Sequence, residues 1–87
     1  MPGRDVVPPP NLSHPAGKYA QPIEVVLSDS EPGADIRYTL DGSAPTQSDL
    51  HYDTPIRLDG PTVLRARAFK AGMTRSIPVQ AVYVIGQ

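Results

Sequence analysis

Proline and glycine punctuate this chain too densely for a long helix. There are 11 prolines and 7 glycines among 87 residues. Proline breaks a helix interior and glycine weakens it. Between these breaks, apolar residues alternate with polar ones, and β-branched residues concentrate in the apolar runs. Both features fit strands, and no window of about 11 residues keeps the 3.6-residue period. Ile23, Val25 and Leu27 alternate with Glu24 and Val26. Ile36, Tyr38 and Leu40 alternate with Arg37 and Thr39. Leu64, Ala66 and Ala68 alternate with Arg65 and Arg67, and Val79, Ala81, Tyr83 and Ile85 share a face near the end. The predicted strands are 23–28, 35–40, 56–58, 62–70 and 75–85, with shorter ones near 6–7 and 50–52. Turn signals recur roughly every 8–12 residues, the spacing of an all-β sandwich.

The turns carry their own chemistry. Pro32-Gly33 predicts a β-turn with proline at its first corner and glycine at its second. Asp41-Gly42 ends the strand from Asp35, since glycine accepts φ > 0 and aspartate bonds nearby backbone N–H groups. Gly17 is a further position expected at φ > 0, and Ala71-Gly72 a tight connection. Pro78 marks the start of the last strand as an edge or a bulge. Residues 41–55 form a polar loop, long for a small domain, that Leu50 and Tyr52 pack down or that serves a function. Residues 1–10, with Pro8-Pro9-Pro10, read as a proline-stiffened linker, and residues 11–87 as one domain. The expected core is Val25, Leu27, Ile36, Tyr38, Leu40, Leu64, Ala66, Ala68, Ala81 and Tyr83.

Several function classes are excluded at this stage. The net charge of −1 offers no footprint for nucleic acid or an anionic membrane. No cysteine is present, so there is no disulfide, thiolate zinc site or cysteine nucleophile. No apolar run is long enough to cross a bilayer. The start lacks the apolar core of a signal peptide, which fits a module taken from a longer chain.

The polar clusters point to turns rather than to catalysis. Asp41, Gly42, Ser43, Pro45 and Thr46 read as a turn brace in which Asp41 accepts from the Ser43 or Ala44 N–H. A calcium site adding Asp49 or Asp53 is the rival, but calcium takes about 6–8 oxygens and the spacing matches no regular loop. Glu24 and Glu31 are not placed as a glycosidase pair, which needs two acids roughly 5–10 Å apart. His14 and His51 sit in loops without metal-ligand spacing. No catalytic residue, metal ligand or cofactor is therefore expected, and the chain is not read as an enzyme. Arg37, Arg65 and Arg67 share an outer face if their strands are neighbours. Outward charge of that kind keeps sheets soluble, and it also suits docking of a partner domain or an acidic glycan. Tyr19, Tyr52 and Phe69 are the candidates for stacking on a sugar.

Several segments together resemble a known family. They are Pro15-Ala16-Gly17-Lys18-Tyr19, Val25-Val26-Leu27, the run Pro32 to Thr46 with its Tyr38-Thr39-Leu40-Asp41-Gly42-Ser43-Ala44-Pro45-Thr46 centre, Ser48 and Tyr52. Leu64-Arg65-Ala66-Arg67-Ala68-Phe69, Gly72, Ser76 and Tyr83 complete the series. The pattern resembles the chitobiase/β-hexosaminidase C-terminal domain family over roughly residues 15–85. The resemblance implies an immunoglobulin-like or fibronectin type III-like antiparallel sandwich of about seven strands. It implies a non-catalytic accessory module of a larger, bacterial secreted or surface protein, monomeric in isolation. Its partners would be neighbouring domains, with location at the cell surface, in the periplasm or outside the cell. The alternative is a carbohydrate-binding module attached to a glycoside hydrolase, with polysaccharide as partner. The chain has no tryptophan, which departs from the usual sugar-stacking surface.

Overall fold

The structure, a computed structural model, describes residues 6–86. Nine strands are present among them: β1 (Asn11–Leu12), β2 (Gly17–Tyr19), β3 (Ile23–Val25), β4 (Leu27–Ser28), β5 (Asp35–Thr39), β6 (Leu50–His51), β7 (Ile56–Leu58), β8 (Thr62–Phe69) and β9 (Val79–Ile85). Five form one sheet in the order β2-β9-β8-β5-β6, and two pairs, β1-β4 and β3-β7, lie apart from it. The domain is an all-β, sandwich-like fold, with no helix among the described residues. The apolar sides of the sheets meet in one core, where Val25, Leu27, Ile56 and Leu58 join Leu64, Ala66, Ala68, Ala81 and Tyr83. Full burial of a side chain the size of Leu64 contributes about 1.5–3 kcal/mol.

Register fixes which residues face inward. Ile36 and Tyr38 of β5 lie opposite Ala68 and Ala66 of β8, and Leu64 lies opposite Ala81 of β9. Directly opposed residues share a face, so these form the inner surface. Arg37 is opposite Arg67 and Thr39 opposite Arg65, on the outer surface. Pro32-Gly33 makes a turn in which Ala34 N–H donates to Glu31 O at 3.2 Å and Gly33 has φ 78°.

The structure departs from the sequence reading at several points. The stretch 23–28 is two strands, because its first half pairs with β7 and its second with β1. At the break, Val26 N–H donates to Ser13 Oγ, and Val26 O accepts from Ser13 N–H. The sheet is not wholly antiparallel, since β2 runs parallel to β9. Tyr83 lies in the register opposite Gly17, and its hydroxyl donates to His14 O at 2.7 Å, holding the approach to β2. The last strand starts at Val79 rather than Arg75, because Ser76 takes the ladder position beside Ala68 first. Ser76 N–H donates to Ala68 O, and Ala68 N–H donates to Ser76 Oγ, each at 2.9 Å.

Leu40 is 40% exposed and is not a core residue. β5 ends at Thr39, whose hydroxyl turns to Ser43 O at 2.7 Å, so the alternation stops one residue short of Leu40. The core gains Val7, Ile56, Leu58 and Ile85. Val7 is fully buried and its N–H donates to Thr74 O, so this part of the segment before Asn11 packs on the domain.

Candidate functional site

The corner after β5 is the densest polar motif. Asp41 Oδ1 accepts from Ser43 N–H at 3.1 Å and from Ser43 Oγ–H at 2.7 Å. These two bonds hold its carboxyl below the usual aspartate range. Gly42 takes φ 81°, and its N–H donates to Val63 O at 3.0 Å. A Cβ there would stand 3.1 Å from Val63 Cγ1, so both conformation and space require glycine. Pro45 is buried. A second small turn follows: Asp49 Oδ2 accepts from Thr46 N–H at 2.7 Å, and Asp49 N–H donates to Thr46 O at 3.0 Å. β6 then pairs with β5, and Tyr52 N–H donates to Ile36 O. The loop is thereby pinned from Asp41 to Tyr52.

The carboxylates in and around this loop are engaged in different places. Asp41 closes on Ser43 and Asp49 on Thr46. Asp53 acts on Tyr38, whose pKa is raised first by burial and then by that charge. Among the described residues, no group of three or more His, Cys, Asp or Glu side chains is arranged to hold a metal ion. Glu24 is exposed on β3, whereas Glu31 binds Lys70 Nζ at 2.7 Å. His14 accompanies the entry to β2 at one edge of the five-stranded sheet, and His51 lies on β6 at the other. His14 Nδ1 is 2.9 Å from Ser13 Oγ, and His51 Nε2 is 3.3 Å from Asp35 Oδ1.

The three aromatic candidates are not brought together. Tyr19 is half-buried on β2, donates to Pro15 O at 2.6 Å and packs at 6.2 Å from the Tyr83 ring. Tyr52 follows β6 at the opposite edge, edge-to-face with Tyr38 at 6.5 Å. Phe69 is buried at the end of β8. Tyr19 and Tyr52 both help close the core, and no flat aromatic surface joins the three.

The arginines do share the outer face. Arg37 pairs with Asp35 at 3.0 Å. Arg65 and Arg67 instead bind main-chain oxygens: Arg65 Nη1 donates to Gly42 O at 3.3 Å, and Arg67 Nε to Ser76 O at 2.5 Å. The Arg67 pKa is lowered first by burial, then by the nearby charges of Arg75 and Arg65. It remains a cation, as arginine does in proteins. Arg75, which sequence reasoning did not single out, joins this group from the connection after β8.

A family model of the chitobiase/β-hexosaminidase C-terminal domain matches residues 14–80. The chain belongs to this family. No curated protein and no solved structure matches it. The match spans the corner 41–49, all of β5 and β8, and the Ser76 crossover. The polar residues of the corner that carry the family likeness are therefore the ones bonded to one another and to local backbone.

Proposed function

We propose that this domain is a non-catalytic accessory module of a larger secreted or surface protein, of bacterial origin. It acts as a spacer and packing partner for neighbouring domains. The proposed setting is the cell surface, the periplasm or the medium, with the isolated domain monomeric. The observation that carries this reading is the use of the motif itself. Asp41, Ser43, Thr46 and Asp49 complete their own turns and converge on no common cleft. A family of hexosaminidase C-terminal domains supports the same role. A braced sandwich, with Pro8-Pro9-Pro10 held between the packed Val7 and β1, sets distance and direction between its neighbours by its own stiffness. The test is direct. The 87-residue chain should sediment as a monomer, unfold in one cooperative step and hydrolyse no aryl N-acetylhexosaminide above the buffer rate. Turnover that disappears in a variant with unchanged stability would overturn the reading.

A further inference from the structure

Among the described residues, Arg65, Arg67 and Arg75 carry positive charge on the outer face that no carboxylate pairs. The ion pairs among the described residues are Arg37–Asp35 and Lys70–Glu31, and His51 Nε2 also contacts Asp35 Oδ1. No carboxylate lies within ion-pair distance of Arg65, Arg67 or Arg75 among those residues. Arg65 Nε is buried without a hydrogen-bond partner. Like charges gathered this closely repel one another, and an anion placed among them removes that cost.

The same place is concave. Arg67, Arg75, Gln47 and Phe69 border a hollow of about 340 Å³, with Pro45 in its wall. A second hollow of about 430 Å³ adjoins it across Gln47, Phe69 and Arg75. Its remaining cation, Lys70, is already paired with Glu31. Each hollow falls at the small end of ligand sites, which span roughly 300–1,000 Å³. Arg67 is also pre-positioned. Its Nε is tied to Ser76 O, which leaves the two Nη groups as a planar fork of the kind that matches a carboxylate or sulfate.

The ladder beside these hollows offers no free edge to a peptide. Ala68, between Arg67 and Phe69, is paired with Ile36 on one side and bonded to Ser76 on the other. A polypeptide strand cannot add to an edge that is already occupied. Recognition therefore falls to side-chain donors, the guanidiniums and the Gln47 amide, which suit a ligand rich in acceptor oxygens. Phe69 is only 8% exposed, so a neutral sugar finds little ring face to stack on. Nor does an unstacked nucleic-acid base find a ring face here.

We propose that the hollow between Arg67, Arg75, Gln47 and Phe69 binds an acidic sugar residue, with its carboxylate or sulfate on the two guanidiniums. The adjoining hollow takes the next residue of the same polysaccharide. This site is additional to the spacer role and does not depend on it. The test titrates the whole chain with polygalacturonate, dextran sulfate, neutral dextran and polyglutamate, following amide shifts and heat. At least one of the two acidic polysaccharides should bind, with shifts centred on Gln47, Phe69 and Arg75. Polygalacturonate alone assigns a carboxylate, and dextran sulfate alone a sulfate. Arg75→Gln should weaken that binding roughly tenfold at a denaturant midpoint no lower than wild type, and Arg75→Lys should weaken it less. Silence from both acidic polymers, equal binding of neutral dextran, equal or tighter binding of polyglutamate, or an unaffected Arg75→Gln variant would each overturn the proposal. The accessory-module reading is tested by turnover and assembly state, so either can fail alone.

Discussion

The corner at 41–49 and the arginine face at 65–75 are both polar and both sit on the outer side of one sheet, yet they are built in opposite ways. At the corner, each polar side chain meets a partner within a few residues: Asp41 with Ser43, Thr39 with Ser43 O, Asp49 with Thr46. On the arginine face, Arg65 and Arg67 are tied by single bonds to distant carbonyls, and most of their donors remain free. A closed polar cluster stabilises a turn. A polar cluster left open, with like charges side by side, stands ready for a ligand. The corner is dense in chemistry-bearing residues and still reads as a brace, because partner satisfaction rather than residue type separates the two cases.

Breaking the corner should cost the most stability. Gly42→Val places a β-branched residue at φ 81°, with its Cβ 3.1 Å from Val63 Cγ1. A lower stability of about 3 kcal/mol is expected, read as a lower denaturant midpoint at unchanged slope. A midpoint close to wild type would mean that the corner relaxes freely and is no brace. The next effect is at the crossover beside the arginine face, where Ser76 O holds Arg67. Ser76 is fully buried, and its Oγ is the acceptor for Ala68 N–H. Ser76→Ala leaves that N–H unpaired and should cost about 1–2 kcal/mol. It should also slow no step of anion binding unless Ser76 O moves away from Arg67, which the amide shifts of the variant would report.

What the sequence disclosed follows the same division. Local rules placed β5 and β8, the Pro32-Gly33 turn and the Asp41-Gly42 corner, because alternation and glycine conformation act within a few residues. Partner choice was not legible. Nothing in Ile23–Ser28 announces that its halves pair with different strands, and the burial of Val7 depends on Thr74 far along the chain. Leu40 misled because alternation was carried one residue past the point where Thr39 turns to Ser43. Phe69 lies out of phase with the inner face, opposite Asp35, and is nevertheless buried. It borders both hollows, whose other walls come from Gln47 and the stretch 71–75. Alternation grouped Arg37, Arg65 and Arg67 on condition that their strands are neighbours, which the β5–β8 pairing meets, whereas Arg75 reaches them only through that crossover.

A smaller effect probes the corner by pH. The Asp41 pKa is depressed in the folded state, chiefly by the Ser43 hydroxyl and then by the Ser43 N–H. A depressed carboxyl contributes stability that is present above its unfolded value and is lost as pH falls through its folded value. Asp41→Asn retains an acceptor oxygen but does not titrate. Wild type should therefore exceed the variant at neutral pH, and its advantage should shrink as pH drops below the ordinary value of 3.8. Parallel midpoint-versus-pH curves for the two proteins would show that the Ser43 bonds do not favour the ionised form.

The smallest stability effect should come from the residue with the largest expected effect on binding. Arg75 is exposed, and no ion pair holds it among the described residues. Arg75→Gln should leave stability within about 0.5 kcal/mol of wild type, the range for surface positions away from caps and buried networks. It should even relieve Arg67, since Arg75 is the larger of the two neighbouring charges that lower the Arg67 pKa. A slight rise in midpoint at low salt, vanishing as salt screens the repulsion, is the expected signature. A clear fall would mean that Arg75 braces the fold as the corner does, and the contrast between the two regions would collapse. With stability unchanged and acidic-sugar affinity reduced, the open cluster separates from the closed one in a single variant.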